Sequence, residues 1–366
     1  MVSTGAFLPA FGNKPEHIIG RSGIRAEFLE GLALPIGHRN RTTLLIGQRG
    51  TGKTTLLLDF AEAGESKGYV CARVTANSEM LDEIIQSIQV NGSRFVPQPK
   101  TKVKGFSVGA LGFSFGLTFS EEAQAQLGFR MKLGMLCDEL EKHRKAVLIL
   151  VDEVNSNTPE MRTLATTYQH LVGEQKNIAI VMAGLPGSMS AVLNDDILTF
   201  LNRAYKAYLE PLPFGEMSVA YKTEFEKQGK PIAPEVLEKA VLATRGYPYL
   251  FQLIGYYTLA FAQNTKVITT EIVNQAVSTS KREMVEGVFS AALKPLSERD
   301  KDFLKAMSKD KGVSKVSDIQ ERMRVSRSYV QSYRTRLIES GIIASSGRGE
   351  LAFQIPYLDE YLRGDF

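Results

Sequence analysis

A glycine-rich segment that contains one lysine is the part of the sequence best suited to chemistry. Gly47–Thr54 reads GQRGTGKT and matches the pattern G-x-x-x-x-G-K-[ST] at every fixed position. The apolar run TTLLI precedes it and the helical pattern TTLLLDFAEAG follows it, which is the context this motif requires. Glycines let successive backbone N–H groups turn toward phosphate oxygens, and the start of the helix adds partial positive charge. The segment therefore predicts a phosphate-binding loop.

The side chains of this loop predict a nucleotide site for ATP or ADP with Mg²⁺. We expect Lys53 to bridge the β- and γ-phosphates and the Thr54 hydroxyl to bind the metal ion. The candidate nucleotide-binding residues of the segment are Gly47, Gln48, Arg49, Gly50, Thr51, Gly52, Lys53, Thr54 and Thr55.

Two adjacent acids after an aliphatic run support this interpretation. The run Ala146–Val151 is followed directly by Asp152 and Glu153. A buried parallel strand delivers such residues to the carboxyl edge of the sheet, where ligands of open α/β folds bind. Asp152 is then placed to hold Mg²⁺, and Glu153 can act as the base that polarises the attacking water.

The rest of the chain divides into regions of different pattern. After a lead of residues 1–17, residues 18–212 alternate apolar runs with helical patterns, which is typical of a parallel α/β sheet. The expected strands are Thr43–Ile46, Tyr69–Val74, Ala146–Val151 and Ile178–Met182. Residues 96–119 alternate with period two and predict a β-hairpin insertion, either a surface ornament or a basic arm. Residues 213–293 are helical in pattern.

With these motifs the sequence resembles the AAA+ and STAND branch of P-loop ATPases, particularly origin-recognition-type initiators and their archaeal and bacterial relatives. Ile18 and Ile19, followed by Gly-Arg, are similar to the family's N-terminal box, and the resemblance implies that they pack on adenine. Arg203, in FLNR, resembles the family's arginine finger. Gly246-Tyr247-Pro248 resembles the Gly-x-Pro element of STAND proteins, which implies that Pro248 belongs to a helical lid over the nucleotide.

The sequence departs from the family at two positions. Ile178–Met182 is followed by Ala-Gly-Leu-Pro, where AAA+ members usually carry a polar sensor of the γ-phosphate. The lid element has no arginine sensor, although Arg245 is adjacent to it. Both departures predict slow hydrolysis, with the nucleotide acting partly as a switch.

Residues 294–366 have the order helix, helix, tight turn, helix and hairpin, which resembles the winged-helix domain of these proteins. Ser326 is expected to cap the third helix, whose Val330, Tyr333 and Leu337 should face the core. A second stripe on that helix and the tip of the hairpin are the candidate duplex-DNA contacts: Arg327, Gln331, Arg334 and Arg348. Six arginines and one acid between residues 322 and 348 make a local balance of +5, although the whole chain carries only +4.

Composition excludes several classes of protein. With 43% hydrophobic and 23% charged residues, the chain is neither largely disordered nor collagen-like. It has no apolar run of the roughly 20 residues that span a bilayer, and two distant cysteines make a poor disulfide framework. We therefore expect a cytoplasmic protein. The leading hypothesis is an ATPase of the initiator or mobile-element kind whose nucleotide state controls self-association and DNA binding by the winged helix. The alternative is a STAND-type signalling switch whose winged helix contacts protein.

Overall fold

The computed structural model describes residues 7–9, 14–15, 18–96, 128–154 and 158–366. The predicted insertion at 96–119 lies outside these residues, apart from Val96, and so does most of the 1–17 lead. Within the described ranges, no helix is long and apolar enough to cross a lipid bilayer.

A five-stranded parallel sheet forms the first part of the molecule. Its strands are β1 (Thr42–Ile46), β2 (Tyr69–Thr75), β3 (Ala146–Val154), β4 (Ile178–Gly184) and β5 (Tyr205–Tyr208). Their order across the sheet is β2-β3-β4-β1-β5. The four strands predicted from aliphatic runs are present, each within a few residues of the expected bounds. β5 was not predicted, because YKAY is short and carries a lysine; it lies at the edge of the sheet, where only one neighbour covers it.

Helices cover both faces of this sheet. They are α1 (Ser22–Ala33), α2 (Lys53–Ser66), α3 (Met80–Asn91), α4 (Phe129–Lys142), α5 (Pro159–Gly173) and α6 (Pro186–Leu193). Side chains alternate along each strand, so the strands contribute to two separate apolar cores. One core packs β3 and β4 against α3, α4 and α5. The other packs the opposite face against α1 and α2 and includes Phe28 stacked on Phe60.

The next region is mainly helical, with one isolated β-bridge between Ile232 and Ile268. Its helices are α7 (Phe214–Lys227), α8 (Pro234–Ala243), α9 (Pro248–Phe261), α10 (Thr270–Met284) and α11 (Ser290–Leu293). A π-helical turn, Val285–Phe289, joins α10 to α11. Such turns are uncommon and often occur at functional sites.

The C-terminal region combines helices with a small antiparallel sheet. Its elements are α12 (Glu298–Ser308), β6 (Val313–Lys315), α13 (Val316–Met323), α14 (Arg327–Glu339), β7 (Ile343–Gly347), β8 (Glu350–Phe353) and α15 (Leu358–Arg363). The strand order is β6-β8-β7. The sequence pattern missed β6 and the C-terminal helix α15, because three and six residues are too few to show a periodicity. Ser326 caps α14 as expected, and Val330, Tyr333 and Leu337 are buried.

The helical and C-terminal regions share one hydrophobic core. A single cluster of buried residues extends from Met217 through Phe251 and Phe303 to Leu358, and also contains Phe7. The expected boundary near residue 294 therefore does not coincide with a break in the apolar packing.

Candidate nucleotide site

The phosphate-binding loop lies between the end of β1 and the start of α2. Gly50 and Gly52 have φ angles of +71° and +89°, a region that residues with a Cβ rarely adopt. A Cβ built on Gly50 would also come within 2.0 Å of the Tyr247 hydroxyl. Glycine at position 50 is therefore required both by the backbone and by the residue packed against it.

Lys53 points back into its own loop. Its Nζ donates hydrogen bonds of 2.8 and 2.7 Å to the carbonyl oxygens of Gly47 and Gln48. Burial lowers the pKa of Lys53 to about 8, and the positive charge of Arg49 contributes to this shift, while Asp152 and Glu153 oppose it. A bound polyphosphate would offer this ammonium a stronger, charge-assisted partner than the two carbonyls.

Thr54 and the first acid of β3 meet at the carboxyl edge of the sheet. The Thr54 hydroxyl donates a hydrogen bond of 2.6 Å to a carboxylate oxygen of Asp152. The pairing of β3 with β4 shifts between Val151 and Val154, so the two acids lie in a β-bulge. Glu153 is exposed and has a φ of +53°, an uncommon value for a residue other than glycine. Strained backbone of this kind is frequent at functional sites.

The oxygen atoms at this edge fit a magnesium ion. Mg²⁺ prefers hard oxygen ligands and is usually held by one or two protein groups together with water and substrate phosphates. The Thr54 hydroxyl and the Asp152 carboxylate supply such a pair, already within 2.6 Å of each other.

These residues line a cavity of about 810 Å³ that has two chemically different ends. This volume is within the usual range for small-molecule sites. Ile18, Ile19 and Pro248 line it, together with apolar side chains from the N-terminal segment, α2 and α9, namely Leu8, Leu58 and Phe251. Near the loop, the lining residues are Asp152, Glu153, Gly184, Ser188, Glu339 and Ser340. An apolar end for a base and a polar end for phosphates suit a nucleotide.

Residues 37–193 match the AAA domain family. These residues therefore form an AAA-type P-loop domain. Residues 286–362 match a domain of unknown function, DUF8462. No curated protein matches the chain.

Two solved structures share the fold over nearly the whole length. The Walker-type ATPase PABY2304 of Pyrococcus abyssi has a TM-score of 0.68 at 17% identity, covering 96% of this chain and 97% of that one. The ORC2 protein of Aeropyrum pernix in its ADP form has a TM-score of 0.54 at 14% identity, covering 97% of this chain and 96% of that one. At these identities the likeness concerns the fold alone.

Several residues around the AAA domain's cavity were not singled out by sequence. Ser188, on the first turn of α6, lines the phosphate end although the end of β4 itself is apolar. Gly287 and Val288 of the π-helical turn also line the cavity. Arg21 is buried, and its guanidinium donates to the carbonyl oxygens of Glu210 (2.7 Å) and Thr51 (3.4 Å). No local periodicity marks these positions, although Arg21 belongs to the motif Ile18–Arg21 that resembles the family's N-terminal box.

Two arginines near the AAA domain point away from its own phosphate loop. Arg203 is exposed and lies two residues before the start of β5, whose Tyr205 pairs with Thr43 at the start of β1. It therefore lies at the edge of the sheet opposite the loop. Arg245 stacks on the ring of Tyr357 at 3.8 Å and forms an ion pair with Glu360 of α15. It binds the C-terminal region instead of facing the cavity.

The stripe expected to face outward on α14 is only partly exposed. Arg327 is exposed, and so is Arg348 in the turn between β7 and β8. Arg334 and Gln331 are half-buried and bonded to each other at 3.3 Å, and Nε of Arg334 is buried without a hydrogen-bond partner among the described residues. α14 packs against α12, α13 and β7 and also against α6 of the AAA domain.

Proposed function

We propose that this protein binds Mg²⁺–ATP in the AAA domain's cavity and hydrolyses it slowly to ADP and phosphate. The observation that carries the proposal is that a lysine, a hydroxyl and a carboxylate come together at one end of the cavity. Lys53 lies on the loop carbonyls, and the Thr54 hydroxyl lies 2.6 Å from the Asp152 carboxylate. These are the groups that cradle phosphates and hold a metal ion in P-loop proteins.

Each residue has a distinct part in this proposal. Backbone amides of the loop bind the phosphate oxygens, and Lys53 leaves the carbonyls of Gly47 and Gln48 for the β- and γ-phosphates. Thr54 and Asp152 would hold Mg²⁺, which supplies charge neutralisation at the phosphates. Glu153 accepts the proton of the attacking water. Hydrolysis is slow because Ala183 and Gly184, at the end of β4, carry no polar group.

Two substitutions separate binding from turnover. Lys53→Ala should abolish measurable ATP affinity, since the phosphates then meet only backbone dipoles. Glu153→Gln should bind ATP but lose hydrolysis, because the base is removed while size and polarity are kept. Wild-type turnover in Glu153→Gln would show that the base is another group.

We further propose that residues 18–212 are the ATPase core, 213–293 a lid and 294–366 a winged helix that binds duplex DNA. The order α12, β6, α13, α14, β7, β8 supports a winged helix with α14 as recognition helix. Three exposed arginines of the segment 322–348 have no ion-pair partner among the described residues, namely Arg324, Arg327 and Arg348. They suit phosphate contacts, which dominate DNA affinity.

The other three arginines of the basic segment have intramolecular roles. Arg322 forms a two-fold hydrogen bond with Asp310 at 2.7 and 2.6 Å. Arg336 binds Asp300 at 2.7 Å and lies over Tyr333. Arg334 is half-buried beside Gln331. The DNA contacts are therefore best supported at Arg324, Arg327 and Arg348, and less well at Gln331 and Arg334.

We propose that ATP controls self-association, with Arg203 serving a neighbouring subunit. An arginine at the edge opposite its own loop can contact only the nucleotide of another copy. Measuring size by light scattering with ADP and with a non-hydrolysable ATP analogue, with and without duplex DNA, tests this. An unchanged size in all four conditions would contradict nucleotide-controlled assembly.

One observation favours a second candidate, a nucleotide switch whose C-terminal region contacts protein. The C-terminal end of α14 already lies on the AAA domain, with Glu339 against Gly187. The isolated fragment 295–366 distinguishes the two. Salt-dependent binding of this fragment to duplex DNA supports a winged helix that binds DNA. If neither the folded fragment nor the full chain with ATP binds DNA, the protein-contact switch takes its place.

A further inference from the structure

The C-terminal end of α14 closes one side of the nucleotide cavity. A Cβ built on Gly187, the second residue of α6, would lie 2.6 Å from the Cα of Glu339. A Cβ on Gly341 would lie 2.5 Å from the Gln48 side-chain oxygen, which is itself buried without a hydrogen-bond partner among the described residues. These close approaches hold the end of the helix against both α6 and the phosphate loop.

This arrangement adds negative charge to the phosphate end of the cavity. Glu339 lines the cavity together with Asp152 and Glu153. Its side chain is exposed and has no ion-pair partner in the part of the chain that the structure describes. The end of a helix also carries partial negative charge from its last carbonyl groups. α14 therefore places both the Glu339 carboxylate and its own negatively polarised C-terminal end at the phosphate end of the cavity.

The terminal phosphate of ATP extends further into this end than that of ADP. Its additional charge must be accommodated beside Asp152, Glu153 and Glu339. Lys53 can offset the first two, whose charges raise its pKa, whereas Glu339 has no ion-pair partner among the described residues. Repulsion between Glu339 and the γ-phosphate is therefore present with ATP and largely absent with ADP.

We propose that Glu339 is a specificity-determining residue that makes the nucleotide site favour ADP over ATP while α14 is docked. The inference rests on the proposed nucleotide binding and deepens it, because it assigns the choice between nucleotides to the C-terminal region. The same contact means that ATP binding works against the docked position of α14.

The direct test compares the dissociation constants of Mg²⁺–ADP and of a non-hydrolysable Mg²⁺–ATP analogue, using the full chain and titration calorimetry. Glu339→Gln should tighten binding of the analogue on the order of tenfold and leave ADP nearly unchanged, as expected for a like charge several ångströms away. The gain should shrink at high salt, because the repulsion is screened. Glu339→Asp should remain close to wild type.

A matched control isolates the effect of the Glu339 charge. Glu321→Gln removes an exposed glutamate of α13 that does not line the cavity, as far as the structure describes its walls, and should leave both constants unchanged. An unchanged ratio of the two constants in Glu339→Gln would overturn the inference.

A second pair of variants tests the docked position without altering charge. Gly187→Ala places a methyl group against the backbone of Glu339 and should shift the ratio toward ATP. Gly215→Ala, also at the second position of its helix, meets nothing within 4 Å and should have no effect. Identical ratios in these two variants would also contradict the inference.

Lys53→Ala distinguishes a failure of the proposed nucleotide binding from a failure of the role assigned to Glu339. If Lys53→Ala binds nucleotide as well as wild type, the proposed function itself is wrong. If Lys53→Ala loses binding and Glu339→Gln keeps the wild-type ratio, only the role of Glu339 is wrong.

Discussion

The hydroxyl of Tyr247 donates a hydrogen bond of 2.7 Å to the backbone carbonyl of Arg49 in the phosphate loop. Burial raises the pKa of Tyr247 far above its usual value, so the phenol remains a donor at neutral pH. Two residues earlier, Arg245 binds Glu360 and stacks on Tyr357. The short loop before α9 therefore connects the nucleotide site to the C-terminal region.

Removing this one hydroxyl should destabilise the protein. We expect Tyr247→Phe to lower the free energy of unfolding by about 1 kcal/mol, because the Arg49 carbonyl loses its buried partner while the ring is kept. Urea unfolding measures the change. Tyr208→Phe, at a tyrosine that is 58% exposed, is the control and should have little effect. Equal stability of the two variants would contradict a role for the bond.

Nucleotide affinity should fall as pH rises above about 8. Burial lowers the pKa of Lys53 to about 8 in the free protein, whereas bound phosphate raises it again. Nucleotide affinity therefore has its full value below this pH, where Lys53 is already protonated. Above this pH the affinity decreases by up to tenfold per pH unit, because binding must take up one proton. Dissociation constants for ADP between pH 7 and 9.5 test this. Lys53→Arg stays charged throughout, so any binding it retains should lack this slope.

Mixing two inactive variants tests whether Arg203 acts between subunits. Arg203→Ala should bind ATP but fail to hydrolyse it, and Lys53→Ala should fail to bind. A mixture should regain part of the activity, because some interfaces combine an intact loop with an intact Arg203. Absence of rescue, under conditions in which mixed oligomers demonstrably form, would contradict an arginine finger acting in trans.

Duplex DNA binding should depend on the arginines that have no intramolecular partner. Arg348→Ala should weaken binding to all sequences and reduce the salt slope by about 1, as expected for a phosphate contact. Arg327→Ala should instead cost roughly 1–3 kcal/mol at a preferred site if it reads a base. Fluorescence anisotropy over a salt series measures both effects. Arg299→Ala, which removes an equal charge from α12, should leave the slope unchanged.

Ser188 should contribute to hydrolysis more than to binding. It is the hydroxyl on α6 that lines the phosphate end of the cavity, beyond the apolar end of β4. We expect Ser188→Ala to lower kcat several-fold, with the ATP dissociation constant nearly unchanged, because the hydroxyl can stabilise charge that develops in the transition state. Single-turnover hydrolysis measures this. Ser190→Ala, at an exposed position on the same helix, is the control.

Local sequence was sufficient for the parts of the site that occur within one element. The loop Gly47–Thr54 and the pair Asp152–Glu153 were predicted because their chemistry depends on spacing along the chain. The strands β1 to β4 were predicted because strands buried on both faces are nearly continuous aliphatic runs. The same reasoning identified the cap at Ser326 and the buried stripe of α14.

Only the tertiary structure determined which distant groups meet. Tyr247 lies on Gly50, and Glu339 lies on Gly187, although each pair is separated by more than a hundred residues. Neither contact has a periodicity, because it depends on how whole helices pack and not on the pattern within one of them. Which charges remain unpaired was also decided by the tertiary structure. The sequence identified six arginines between residues 322 and 348, but Asp310 and Asp300, which neutralise two of them, are supplied by other turns of the fold.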